Sequence, residues 1–154
     1  MFFKRYVDDC LVCAKESEQQ IILDVFNGFH ERLQFTIEYE VEGEIKFLDT
    51  ILRRGQSGIT AEWFPKGEKG RYLDFQSVSP FSQKKNSVIT LVDRVIKLTH
   101  VNYRQKTLNT VKEMLKIINY PSQFVFNVIK DRTHTMYNYL NKEKLIRPFL
   151  IAQV

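Results

Sequence analysis

Long apolar runs are missing from this 154-residue chain. No segment approaches the ~20 unbroken apolar residues that span a bilayer, so no membrane partner is expected. The chain passes from Met1 straight into "FFKRYVDDCLVCAK", without the apolar core and cleavage site of a secretory leader. An intracellular location, the nucleus included, is the expectation. Cysteine is scarce. Cys10 and Cys13 spell C-x-x-C, but side chains on a strand alternate between faces, so the two cannot share one metal or one disulfide. There is no second Cys pair, and His30, His100 and His134 lie far apart without ligand spacing. Two small buried thiols in a reduced compartment is the reading. Internal repeats and low-complexity runs are also missing.

What is present is a globular composition, 44% apolar and 13% aromatic, which excludes a disordered chain. The length suits one compact domain or two small lobes. The net charge of +5 is unevenly spread. Met1 to Phe81 carries 10 Lys+Arg against 14 Asp+Glu, net −4, while Ser82 to Val154 carries 13 against 4, net +9. This polarity fits an acidic part that holds cations and a basic part that meets a polyanion. A solvated basic face accounts for the same distribution equally well.

The periodicity predicts an α+β chain. Residues 2–7 and 10–14 read as two strands joined at Asp8 and Asp9. Ser17-x-x-Gln20 resembles a capping box opening a helix with Ile21, Ile22, Val25, Phe26, Phe29 and Leu33 on one face. Phe35 to Val41 alternates as a strand, Gly43 turns the chain, Ile45 to Arg53 returns, and Ile59 to Phe64 makes a third strand. Pro65 to Ser82 is a connecting segment with two glycines and several cations. Three helical stripes follow: Val88, Leu91, Val92 and Val95; Leu108, Val111, Met114, Leu115 and Ile118; and, after Pro121, Phe124, Val125, Val128 and Ile129. Met136 to Leu145 reads as a last short helix, with a frayed tail from Arg147.

Adjacent carboxylates at Asp8 and Asp9 repel each other and resist burial unless a cation joins them. A hairpin tip of this kind suits Mg²⁺ held by carboxylates, phosphates and water. Two such ions about 3.5–4 Å apart serve phosphoryl transfer. An aspartate pair alone is more often a turn or surface feature. "YVDD" between apolar strands resembles motif C of reverse transcriptases. "FKRYVDD", "QFTIEYE", "KFLDTILRR", "WFPKGEKGRYLDFQSVSPFSQKK" and "NYPSQFVFNVI" follow the order of Penelope-like retroelement reverse transcriptases, over about residues 2 to 130.

That resemblance implies a partial palm over residues 1–75 and a helical thumb-like region over 76–154 of an RNA-directed DNA polymerase, with two Mg²⁺ ions. Its partners are an RNA template with a DNA primer, and dNTP. Asp8 and Asp9 match the metal-binding carboxylates. Tyr6 and Val7 lie beside the primer terminus and nucleotide, and serve equally as plain strand residues. Phe47, Leu48 and Asp49 match the primer-gripping motif, although core packing suits the first two and a local cap or ion pair the third. Lys66, Lys69 and Arg71 either touch phosphates or sit on a solvated loop. Lys84, Lys85, Arg94, Lys97, Arg104, Lys106, Lys112 and Lys116 are candidates for nucleic-acid backbone contacts.

The departure from that family is large. Only Met1 to Arg5 precede the hairpin, leaving no room for the motif A aspartate, the fingers or motif B. The chain reads as a C-terminal piece, inactive alone, with an upstream palm and fingers segment as its missing partner. The alternative is a non-catalytic nucleic-acid-binding remnant, helix-turn-helix-like, built on the basic helical region. A base-reading helix-turn-helix ranks last, because "SQFVFNVIK" is largely apolar.

Overall fold

The computed structural model describes residues 2–56, 58–65 and 72–146, with side chains through residue 139. The fold is α+β, with small antiparallel hairpins and four α-helices among the described residues. Two compact units form, Met1–Ile59 and Thr60–Val154.

In the first unit, β1 (Phe2–Tyr6) and β2 (Asp9–Cys13) pair antiparallel, with Phe2 opposite Cys13 and Tyr6 opposite Asp9. Val7 and Asp8 are thus the two-residue loop. Val7 has φ 54°, a left-handed conformation that disfavours a β-branched residue, and Arg5 Nε donates to its carbonyl at 2.7 Å. A 3-10 turn (Glu16–Glu18) leads into α1 (Gln19–Asn27). The expected Ser17/Gln20 box gives way to Glu18, whose carboxylate accepts from the Lys15 N–H at 3.4 Å. Gln20 instead donates to Asp24 at 2.7 Å.

Helix α1 stops well short of Leu33. The Gly28 N–H closes its last turn on the Asp24 carbonyl at 2.8 Å. The Asn27 side chain then clasps Phe35, accepting from its N–H at 2.6 Å and donating to its carbonyl at 3.3 Å. That clasp takes the backbone groups a strand ladder would use, and residues 35–40 form no strand. The anticipated single strand from Ile45 to Arg53 is in fact a hairpin. β3 (Glu44–Phe47) and β4 (Thr50–Gly55) pair antiparallel with Glu44 opposite Arg53 and Phe47 opposite Thr50. The bend falls at Leu48 and Asp49, with Leu48 left-handed at φ 54°. β5 (Gly58–Trp63) begins in this unit and ends in the next. None of the described residues of the first unit is buried. The two thiols follow suit, Cys10 half-buried and Cys13 exposed, which corrects the expectation of two buried ones.

The second unit contains the core. α2 (Phe81–Leu98), α3 (Val101–Ile117) and α4 (Ser122–Ile146) turn their apolar stripes inward. Val88, Leu91, Val92 and Val95 of the first stripe are all buried. Val111, Leu115 and Ile118 represent the second, and Val125, Val128 and Ile129 the third. No proline or glycine interrupts residues 122–146, so the expected separate helix near Met136 is a continuation of α4. Trp63, 1% exposed, closes the core from the end of β5. Its backbone N–H donates to Thr99 Oγ1 at 3.0 Å, and the His100 backbone N–H donates to the Ala61 carbonyl at 2.7 Å. Buried Glu62 accepts from Thr107 Oγ1 at 3.2 Å and pairs with Lys106 Nζ at 3.4 Å.

A bidentate pair ties α2 to α4. Arg132 Nε and a terminal nitrogen donate to Asp93 Oδ1 and Oδ2 at 2.6 and 2.7 Å. The guanidinium hydrogen bond holds the Asp93 carboxyl below its ordinary value of 3.8, against the opposing effect of burial.

Two outcomes test this division. Leu115→Ala should cost about 2–5 kcal/mol in urea unfolding followed by helical circular dichroism. Val25→Ala on α1, where the side chain is 70% exposed, should stay within about 0.5 kcal/mol. Asp93→Asn should cost about 1–3 kcal/mol at neutral pH. A carboxylate whose pKa is depressed on folding contributes stability that is complete above the unfolded value and lost as pH falls through the folded one. The gap between Asp93→Asn and the unsubstituted protein should therefore close as pH is taken below 3.8. A gap independent of pH would rule out the charged pair as its source.

Candidate nucleic-acid interface

The residues singled out in the first unit sit on two hairpins of different sheets. Tyr6, Val7, Asp8 and Asp9 are exposed at the β1–β2 loop. Phe47, Leu48 and Asp49 are half-buried at the β3–β4 bend, where Thr50 Oγ1 donates to the Phe47 carbonyl at 2.9 Å. Among the described residues, no group of three or more His, Cys, Asp or Glu is arranged to hold a metal ion. Asp8 and Asp9 therefore have no third such residue grouped with them among the described residues.

The cations of the second unit divide into those engaged by the fold and those facing outward. Lys66, Lys69 and Arg71 lie outside the described residues. Lys84 donates to the Ser77 carbonyl at 2.7 Å, with its ammonium 5.3 Å from the Phe75 ring centre. Arg104 donates to the Thr99 and Ile96 carbonyls at 3.0 and 2.9 Å, satisfying groups that the end of α2 leaves open. Lys106 reaches buried Glu62. Lys85, Arg94, Lys97 and Lys116 are exposed, and Lys112 is half-buried. The sequence expectation of one uniform set of backbone contacts therefore splits by role.

Four residues, Ile118 to Pro121, join α3 to α4. Asn119 turns the chain in the left-handed region at φ 67°, which Asn tolerates better than most residues. Its side chain donates to Asp74 Oδ2 at 2.9 Å, and the Phe75 N–H donates to the Ile118 carbonyl at 3.1 Å. Behind the turn, Phe75 packs at 5.1 Å from Tyr120 and 5.7 Å from Phe124, and Phe81 lies 5.2 Å from Phe124. Burial raises the Tyr120 phenol above its ordinary value of 10.0, so it stays neutral. The turn and the first residues of α4 are firmly placed.

The start of α4 has two chemically distinct sides. Val125, Val128 and Ile129 are buried and Phe124 half-buried, whereas Ser122, Gln123, Phe126, Asn127 and Lys130 are exposed. The objection that "SQFVFNVIK" is too apolar to read bases counted composition. Its apolar residues are mostly inward, and its polar ones are outward at helical spacing. Gln123, Phe126, Asn127 and Lys130 were missed for that reason, although each is the wheel complement of the buried set. Gln123 Nε2 donates to Asn127 Oδ1 at 3.0 Å. A notch of about 280 Å³ at this end of α4 is lined by Lys112, Glu113, Lys116, Tyr120, Ser122, Val125 and Phe126, two cations against one acid.

Comparison with known families bears on this region. Residues 71–130 match the model of the animal helix-turn-helix domain, a span from the loop before α2 to the third turn of α4. No curated protein and no solved structure matched the chain. The reverse-transcriptase resemblance is overturned, together with the retrotransposon assignment: the family found is a helix-turn-helix domain, and no reverse-transcriptase family or homologue was found. The palm and thumb labels rested on that resemblance alone. The match favours the alternative, a non-catalytic helix-turn-helix-like nucleic-acid binder, over the polymerase.

Proposed function

We propose that the second unit binds duplex nucleic acid without catalysis, as a helix-turn-helix module whose turn is Ile118 to Pro121. The observation that carries this reading is the left-handed turn at Asn119, which presents the polar side of α4 next to a lysine-flanked notch. Helix-turn-helix proteins place the second helix of the motif in the major groove, with its N-terminal residues at base edges and the preceding helix across the backbone. Here those helices are α4 and α3. Residues 71–130 carry ten Lys+Arg against three Asp+Glu, a balance suited to phosphate. Lys116 beside the notch, and Arg94 and Lys97 on α2, supply outward charge. A nuclear location fits such a partner.

Fluorescence anisotropy of a labelled duplex of about 25 base pairs, titrated with the whole chain at several salt concentrations, tests the proposal. Affinity should fall with salt at a log–log slope of about −0.9 per neutralised phosphate. Lys116→Ala should weaken binding on every sequence and reduce the slope by about 1. Asp8→Asn with Asp9→Asn should leave binding unchanged. Absence of binding at low salt, or affinity indifferent to salt, would overturn the reading.

A further inference from the structure

We infer that the exposed side of α4's first turns reads adenine–thymine pairs in the major groove of duplex DNA, with Gln123 and Asn127 acting on adenine as a coupled amide pair. This rests on the nucleic-acid-binding reading of the same helix. Within the pair, Gln123 Nε2 donates to Asn127 Oδ1 at 3.0 Å. Gln123 Oε1 and Asn127 Nδ2 have no hydrogen-bond partner among the described residues. The first is an acceptor and the second a donor, the inverse of adenine's N6 donor and N7 acceptor. With one Nε2 hydrogen engaged, the pair still presents an acceptor and donors outward, the set that adenine's N6 and N7 require. Guanine presents two acceptors along the same edge, O6 and N7. Gln123 Oε1 would find no donor along that edge.

Phe126, 53% exposed, is the adjacent apolar group on this side. An exposed aromatic suits the thymine methyl that projects into the same groove. The exposed positions of the first three turns include no arginine; the charges there are Lys130 and Asp131. Arginine makes the commonest guanine contact. RNA duplexes are disfavoured because their deep, narrow major groove does not admit a helix. A second amide pair, Gln105 Nε2 to Asn109 Oδ1 at 3.3 Å, lies in the middle of α3. It falls on the helix assigned to the backbone, and so serves as an internal control.

Selection from a random 12-base-pair DNA duplex library with the whole chain, followed by sequencing, tests the inference. Total DNA retained at low salt reports duplex binding, and base enrichment reports readout. Adenine should be enriched roughly ten-fold at one or two positions, followed or preceded by thymine. Gln123→Ala with Asn127→Ala should flatten that enrichment, and Gln105→Ala with Asn109→Ala should leave it intact. Asn127→Arg should move enrichment toward guanine. Retention with flat or guanine-rich enrichment in the unsubstituted chain would overturn the inference alone. No retention would overturn the duplex-binding reading with it, and equal retention of a matching RNA duplex would overturn the major-groove assignment.

Discussion

The left-handed residue between α3 and α4 is the constraint from which the rest of the second unit follows. A non-glycine residue at φ 67° costs backbone energy, and here the surroundings hold it there. The Asn119 side chain is bonded to Asp74, whose other oxygen accepts from the Gln76 N–H at 2.7 Å. The loop that precedes α2 is thereby fastened to the turn that follows α3. Phe75 then lies against Tyr120 and Phe124, so the entry of α4 is set by packing as well as by hydrogen bonds. Further along, the Asp93–Arg132 pair fixes the same helix to α2. With α4 anchored at two points, the outward aim of Gln123 and Asn127 is a property of the scaffold.

The two units differ in what sustains them. Burial of a side chain the size of leucine or valine is worth about 1.5–3 kcal/mol, and fourteen apolar residues of the second unit are buried. In the first unit the cover is incomplete. Phe3, Phe26 and Phe35 meet at 6.1 and 5.1 Å, but Ile21 and Val25 on α1, and Phe29 just beyond it, are exposed. Hairpins carry little stability by themselves. Side-chain clasps such as Asn27 on Phe35, and ion pairs such as Arg53 with Glu44 at 2.6 Å and Arg54 with Glu40, order its irregular parts. The acidic excess of this half is spent partly in those contacts.

The helical half was legible because its signal is periodic and its burial is complete. Every valine and leucine named in the α2 stripe is buried. The β half was legible at the local β1–β2 hairpin and at β5, where Ile59 to Phe64 reads as a strand and Gly58–Trp63 forms one. Alternation at Phe35, Ile37, Tyr39 and Val41 reads as a strand, yet a strand needs a neighbour, and the Asn27 amide removes the need for one. "KFLDTILRR" hid a bend because Leu48 is not a turn residue, and nothing in its side chain announces a positive φ. The functional error had a similar origin. An aspartate pair in an apolar hairpin drew attention by its chemistry, whereas Gln123 and Asn127 are ordinary residues whose meaning depends on the side of a helix they occupy.

Charge alone does not locate the interface, and this limits how far sequence can go with a basic chain. Lys84, Arg104 and Lys106 look like phosphate ligands in a list of cations. The first packs on Phe75, the second completes the end of α2 and the third neutralises buried Glu62. Replacing Arg104 would expose carbonyls before it changed any contact with a partner, so loss of binding there would report folding. The exposed cations Lys85, Arg94, Lys97 and Lys116 on α2 and α3, and Lys130 on α4, make none of these contacts with the fold. Under the proposed reading their replacement reports affinity for phosphate, not folding.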